Sequence, residues 1–397
     1  MNVLFLLIKP PELHEYSDLY SDLVLEFAAR GHQVHVAVLL EASAGRDSYC
    51  ETIRGIRVLH VKCGNLFGVG PLRKGLTTLF LPRRFNFEIH RFFGEIRFDL
   101  IVYPTPPITF APVVRRLKRE HGCGTYLILR DIFPQNARDL RMIKDPLTFA
   151  FFRRCEQQLY DISDFIGCMS QGNIDYVRGH NRVDPAKLEI LPNWQRTQPQ
   201  PPSNRHAIRA KFRLGEKFVA VFGGNIGFAQ DLGFLLELAK LYKSRDEIIF
   251  LIVGKGAEKP RIAAAIAAGE LSNVMMMDHV SRADFDELLA ACDVGLINLD
   301  RRFTIPNIPS KTLAYFAAAI PVLAAVDRHT DYGKYLEECD AGRWSVTGNL
   351  QEYRQNFERL LNDAALRKRL GDNGRRALLT RFTVESAFER IMQHFPG

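Results

Sequence analysis

At 397 residues the chain exceeds what one ordinary hydrophobic core serves and suits two domains of typical size. With 47% hydrophobic and 25% charged residues it is no disordered tail. Its net charge of +8 favours an anionic partner, whether nucleic acid, phosphorylated metabolite or membrane surface. The seven cysteines (Cys50, Cys63, Cys123, Cys155, Cys168, Cys292 and Cys339) lack the short spacings of a zinc site or redox pair, which excludes a disulfide scaffold and points to reduced thiols in a cytosolic protein.

The apolar run 3–8 has neither a basic leader nor a small-residue cleavage site, so it reads as a first buried strand rather than a signal peptide. Residues 20–30 have the apolar spacing of a helix, Gly31 is its stop, and 33–39 is strand-like again. Further strands are expected at 57–61, 100–103, 126–129 and 165–169. Continuous apolar runs separated by helices imply a parallel sheet covered on both faces. No stretch has the length of a membrane span. Within 67–93, however, Arg73, Lys74, Arg83, Arg84 and Arg91 interleave with Leu76, Leu79, Phe80, Phe85 and Phe87. That mixture suits the surface of an anionic bilayer, and it also suits core-packing helices with solvated arginines.

The stretch Gln198-Pro199-Gln200-Pro201-Pro202-Ser203-Asn204 reads as a linker, because proline removes donors and holds the chain extended. The strand rhythm then restarts at 218–222, 248–253, 274–277, 294–299 and 322–325. An amphipathic helix at 385–395 is expected to cross back onto the first domain. The predicted fold class is α/β, with two doubly wound Rossmann-like domains: 1–197 with about 384–397, and 205–380.

Ligands of open parallel sheets bind beyond the carboxyl ends of the strands. After 218–222 comes Gly223-Gly224-Asn225-Ile226-Gly227, whose glycines let a backbone approach a ligand or simply turn the chain. After 248–253 comes Gly254-Lys255-Gly256 with Lys259 one turn on, which places two cations where a diphosphate could lie. Pro309-Ser310-Lys311 opens a predicted helix at 312–319, with Ser310 as its N-cap. A lysine in a first turn opposes the helix dipole, and a bound diphosphate would supply the missing negative charge. In the first half, Arg130 and Asp131 follow a buried strand and could orient an acceptor hydroxyl or tie the turn together. Glu12 and His14 follow the first strand on the acceptor side.

These stretches, with Arg30-Gly31-His32, Asp131-Ile132-Phe133-Pro134, Leu191-Pro192-Asn193-Trp194 and Gly371-Asp372-Asn373-Gly374-Arg375, form an ordered set over nearly the whole chain. It resembles the family-4 glycosyltransferases of the GT-B fold. Within them it is most similar to the bacterial branch that builds O-antigen, capsule and exopolysaccharide, such as the L-fucosamine transferases. The resemblance implies a retaining, metal-independent hexosyl transfer from a nucleoside diphosphate sugar, with uridine favoured and no cofactor. The donor would lie in the C-terminal domain, the acceptor (a glycan or lipid-diphosphate-linked saccharide) in the N-terminal one, across a cleft. Carried onto this sequence, Gly224, Asn225, Ile226, Gly227 and Gln230 approach diphosphate or sugar, Gly254, Lys255 and Lys259 assist, His279 and Val280 meet the base, and Pro309, Ser310 and Lys311 hold phosphate. Catalytic roles fall to Arg130, Asp131 and Lys311.

The chain also departs from the family. Asn225 and Gln230 stand where many members carry arginine and lysine, Pro306 and Ala314 where they carry a pair of glutamates, and Ala319 where they carry glycine. A nucleotide-sugar 2-epimerase of the same fold and a catalytically silent paralogue are the rival readings. No motif supports a nucleic-acid partner. The expected location is the cytoplasm, at the inner face of the cytoplasmic membrane.

Overall fold

The computed structural model describes residues 1–13, 18–66, 68–197 and 204–396, so His14, Phe67 and the linker at 198–203 lie outside the described residues. The chain divides into two units, Met1–Pro192 with Val384–Gly397, and Asn193–Thr383.

In the first unit eight strands are described: β1 (Asn2–Leu7), β2 (Gln33–Glu41), β3 (Tyr49–Ile53), β4 (Ile56–Cys63), β5 (Leu100–Pro104), β6 (Gly124–Leu129), β7 (Phe165–Cys168) and β8 (Leu188–Ile190). Their order is β3-β4-β2-β1-β5-β6-β7-β8, parallel throughout except for the β3–β4 hairpin. Helices α1 (Leu19–Ala29), α2 (Pro71–Phe93), α3 (Ala111–His121), α4 (Gln135–Asp139), α5 (Pro146–Ile162) and α6 (Gln171–His180) supply the crossovers. Every residue of β5 is buried, as an inner strand of a doubly covered sheet requires. Its core continues through Leu127 and Leu129 to Phe85 and Phe93 of α2 and Leu159 of α5.

In the second unit α7 (Arg205–Lys211) leads into β9 (Phe218–Gly223), α8 (Leu232–Lys240), β10 (Ile248–Val253), α9 (Lys259–Ala268), β11 (Val274–Met277), α10 (Arg282–Ala290), β12 (Val294–Asn298), α11 (Lys311–Ala317), β13 (Val322–Val326), α12 (Tyr332–Glu338), β14 (Gly342–Val346), α13 (Leu350–Asn362) and α14 (Ala364–Arg381). The strand order is β11-β10-β9-β12-β13-β14. The chain runs outward from β9 to β11 and then returns to β12, beside β9. The loops after β9 and β12 therefore diverge at a topological switch point, the place where such sheets bind ligands.

The last helix, α15 (Val384–Met392), belongs to the first unit. The Arg30-Gly31-His32 run explains its seat. Gly31, at φ +85°, ends α1 in the left-handed region, and the His32 N–H returns to the Phe27 carbonyl. Phe388 of α15 then packs 4.7 Å from Phe27 and 5.6 Å from His32, with the Arg30 guanidinium 5.2 Å from its ring.

Candidate functional site

The two glycine turns of the second unit are packed into each other. Gly224 N–H donates to Val253 O at 2.9 Å, Ile226 N–H to Lys255 O at 2.9 Å, and Glu258 N–H to Ile226 O at 3.0 Å. A side chain at Gly254 would overlap the Gly224 carbonyl, and one at Gly256 the Ile226 carbonyl. The second turn is thus glycine-rich so that the first can lie against it. Gly224, at φ +119°, and Asn225 remain exposed, while Ile226 is fully buried beneath them.

Lys311 reaches this loop from the other side of the switch point. Its Nζ donates to Gln230 Oε1 at 2.7 Å and lies 3.8 Å from the centroid of the Phe222 ring. Its Cε lies 3.9 Å from where a Gly224 Cβ would stand. Burial lowers its pKa to about 7, and no other cause contributes. The predicted cap is absent: Ser310 is exposed, in helical conformation, and its side chain makes no capping bond. Thr312 closes the turn instead, its hydroxyl donating to Pro309 O at 2.7 Å. The helix ends at Ala317 rather than 319, because Ala318 and Ala319 close it, Ala319 at φ +54°.

Lys255 and Lys259 follow β10, the neighbour of β9, and His279 and Val280 follow β11, one strand further out. Lys259 pairs with Asp278, which holds that carboxylate below its usual range, so its charge is already matched. Lys255 and His279 are exposed and Val280 is half-buried. Of the two positions aligned to the family's glutamates, Pro306 and Ala314 are both buried. Beside Ala314, the Tyr315 hydroxyl accepts from Gly223 N–H at 3.3 Å and faces the carbonyls of Val221 and Leu296, which ties α11 to the ends of β9 and β12. A pocket of about 240 Å³ opens beyond Gly227, between Phe228, Asp231 and Asp300, but its ion pairs Glu258–Arg261 and Asp300–Arg302 close on themselves.

Two functional candidates were invisible to sequence reasoning. Phe222 reads as strand core, and nothing in its neighbourhood marks its ring face. Asp327 follows β13 as one more acidic turn residue; its Oδ1 accepts from His329 and Thr330 N–H groups, and burial pushes its pKa to about 6.

In the first unit Arg130 and Asp131 leave β6, and both N–H groups are directed at Thr105 Oγ1, at 3.0 and 3.3 Å. Burial raises the Asp131 carboxyl against the opposing pull of Arg130, and lowers Arg130. Tyr20 joins them electrostatically, its hydroxyl pushed up to about 12 by burial. Glu12 is exposed, and its backbone N–H donates to Ser21 Oγ at 2.7 Å.

In α2, Leu81, Phe85 and Phe93 are buried, while Leu76, Leu79, Phe80 and Phe87 are each more than half exposed, among the exposed Arg73, Lys74, Arg83, Arg84 and Arg91. Among the described residues, no helix is long and apolar enough to cross a membrane.

Two family models match the chain and together span most of it. Residues 20–194 match the glycosyl transferase 4-like domain, and residues 204–377 the group 1 glycosyl transferases. Over 282 residues, 70% of this chain and 69% of the other, it is 23% identical to the probable glycosyltransferase WbjE of Pseudomonas aeruginosa. Among solved structures, sucrose-phosphate synthase from Thermosynechococcus elongatus superposes with a TM-score of 0.80 at 14% identity, covering 100% of this chain and 98% of that one. Anabaena HepE in complex with UDP and glucose superposes at 0.73 and 16% identity, with 99% of both chains covered. These structures share the two-sheet GT-B fold that the sequence led us to expect. The two halves are thus matched in order, residues 20–194 by a glycosyl transferase 4-like domain and residues 204–377 by a group 1 glycosyl transferase domain.

Proposed function

We propose that this chain transfers a sugar, with retention of configuration and without a catalytic metal, from a uridine diphosphate sugar to a glycan or lipid-diphosphate-linked saccharide of a bacterial surface polysaccharide. The single observation that carries this reading is the half-buried Lys311 ammonium, held by the uncharged Gln230 amide and the Phe222 ring beside an exposed glycine loop. A diphosphate at that loop supplies the counter-charge. The edge strand β11 lies two strands from β9, about 10 Å by the usual spacing of about 4.8 Å. A nucleoside diphosphate can therefore run across the strand ends, with its base near His279 and Val280. That HepE was solved with UDP and glucose supports the choice of donor class. The L-fucosamine-transferase branch remains our reading of Asn225 and Gln230.

In the proposed reaction the bond from the sugar's C1 to the diphosphate oxygen breaks, and its electron pair stays on the diphosphate. The acceptor oxygen bonds to C1 on the same face, and its proton passes to the leaving phosphate. Lys311 stabilises the charge that develops on the leaving group, a contribution commonly worth 10²–10³ in rate. Asp131 orients the acceptor hydroxyl. The outer face of α2 suits docking on an anionic membrane, where a lipid-linked acceptor would reside.

Thermal stabilisation by nucleotides tests the donor site. UDP at a hundred times its dissociation constant should add about 2.7 kcal/mol to the wild type and nothing to Lys311→Ala. No shift with any nucleotide would sink the reading. Conversion of a donor sugar with no acceptor present would favour the epimerase, and binding without turnover the silent paralogue.

A further inference from the structure

We propose that Gln230 is a positioning residue for Lys311, an uncharged acceptor that aims the ammonium at the glycine loop without neutralising it. The inference rests on the donor site described above. The two residues are brought together from opposite sides of the switch point, Gln230 from the turn after β9 and Lys311 from the start of α11. An ammonium has three N–H donors and no acceptor. One is taken by Gln230 Oε1 at 2.7 Å, and the positive charge rests against the face of Phe222 at 3.8 Å. Both partners attract a cation, and neither carries a charge.

This neutrality is the point of the arrangement. A carboxylate at position 230 would hold the lysine more firmly, but it would cancel the charge and compete with phosphate for the remaining donors. The amide fixes the direction of Nζ and leaves the charge unspent. The groups facing the ammonium are the Gln230 amide from the turn and the Phe222 ring from β9, and no acidic or basic side chain contributes to its lowered pKa. A bound diphosphate would restore the proton affinity of this lysine. Donor binding at pH 8 therefore draws a proton from solvent, whereas binding at pH 5.5, where the lysine is already charged, draws little.

The test is titration calorimetry of the full chain with UDP, in two buffers of different ionisation enthalpy, at pH 8 and pH 5.5. Wild type should take up close to one proton at pH 8 and almost none at pH 5.5. Gln230→Glu should bind UDP about tenfold or more weakly, with no uptake at pH 8, because its lysine is charged beforehand. Gln230→Ala should bind more weakly but keep the uptake, and circular dichroism of all three should agree. If wild type binds UDP without proton uptake, or Gln230→Glu binds with wild-type affinity and uptake, the positioning role is overturned while the donor site stands. If wild type binds no UDP at all, the donor site falls and this inference with it.

Discussion

Free lysine keeps its proton up to about pH 10.5, but in the folded chain Lys311 gives it up near pH 7. Between those values the unfolded state binds a proton that the folded state does not, so stability falls as pH drops from 10.5, and the full penalty is present below 7. Lys311→Met should therefore raise the melting temperature at pH 6 by more than at pH 9.5, while abolishing nucleotide stabilisation; an equal shift at both values would show the lysine to be solvated. Asp131 has the same character with opposite charge: its carboxyl is raised by burial, so stability falls as pH rises from its unfolded value through its raised folded one, and the full cost is present above that. Asp131→Asn should melt no lower than wild type at pH 7 yet lose turnover, and unchanged turnover in an acceptor assay would remove Asp131 from the reaction. Ala319 stands at φ +54°, where the family usually has glycine. A left-handed backbone costs an L-residue about 1–2 kcal/mol, so Ala319→Gly should stabilise the chain by about 1 kcal/mol in urea denaturation.

Some motif residues matter through the elements they join, without touching a ligand. A Cβ on Gly371 of α14 would overlap the Ala319 carbonyl, one on Gly374 would stand 2.7 Å from the Phe316 ring, and Arg375 Nη1 donates to Ala317 O at 2.7 Å. The Gly371–Arg375 run is thus a seat for the end of α11. Gly371→Ala should lower stability by about 1–3 kcal/mol, despite the better helix propensity of alanine. Legibility in the sequence followed unbroken apolar runs. Inner strands such as β1, β5, β9 and β10 were readable to within a residue or two, because both faces are covered and their residues form continuous apolar runs. Strands β3, β8 and β14 were missed, because Tyr49–Ile53 and Leu188–Ile190 are half-exposed edges and Gly342–Val346 is interrupted by Arg343 and Ser345. The loops carrying Gly224, Gln230 and Lys311 could be found from glycine and charge after strands. Their meeting could not, since it depends on which strands are neighbours. The outer face of α2 was legible only as two alternatives, and the structure shows that its inner face packs in the core while its outer face stays exposed and basic. Phe80→Ser with Phe87→Ser should reduce sedimentation with anionic liposomes at low salt and leave the melting temperature nearly unchanged, since both side chains are more than half exposed.

For the molecule as a whole, the net charge of +8 fits a protein that meets anionic partners in more than one place. Liposome binding through α2 should fall steeply between 0.01 and 0.15 M salt, as the Debye length shrinks from about 30 to about 8 Å, whereas UDP held by the half-buried Lys311 should be less sensitive. The path of the chain has a further consequence. Because Val384–Gly397 belongs with Met1–Pro192, the first unit is interrupted by the whole of the second. During synthesis the second unit is contiguous and can close on itself first, whereas the first waits for the last helix to leave the ribosome before Phe27 and His32 are covered. A fragment stopping at residue 197 should bind hydrophobic dyes and aggregate, while one spanning 193–383 should remain soluble, and late-acting chaperones would find their substrate in the half that began first.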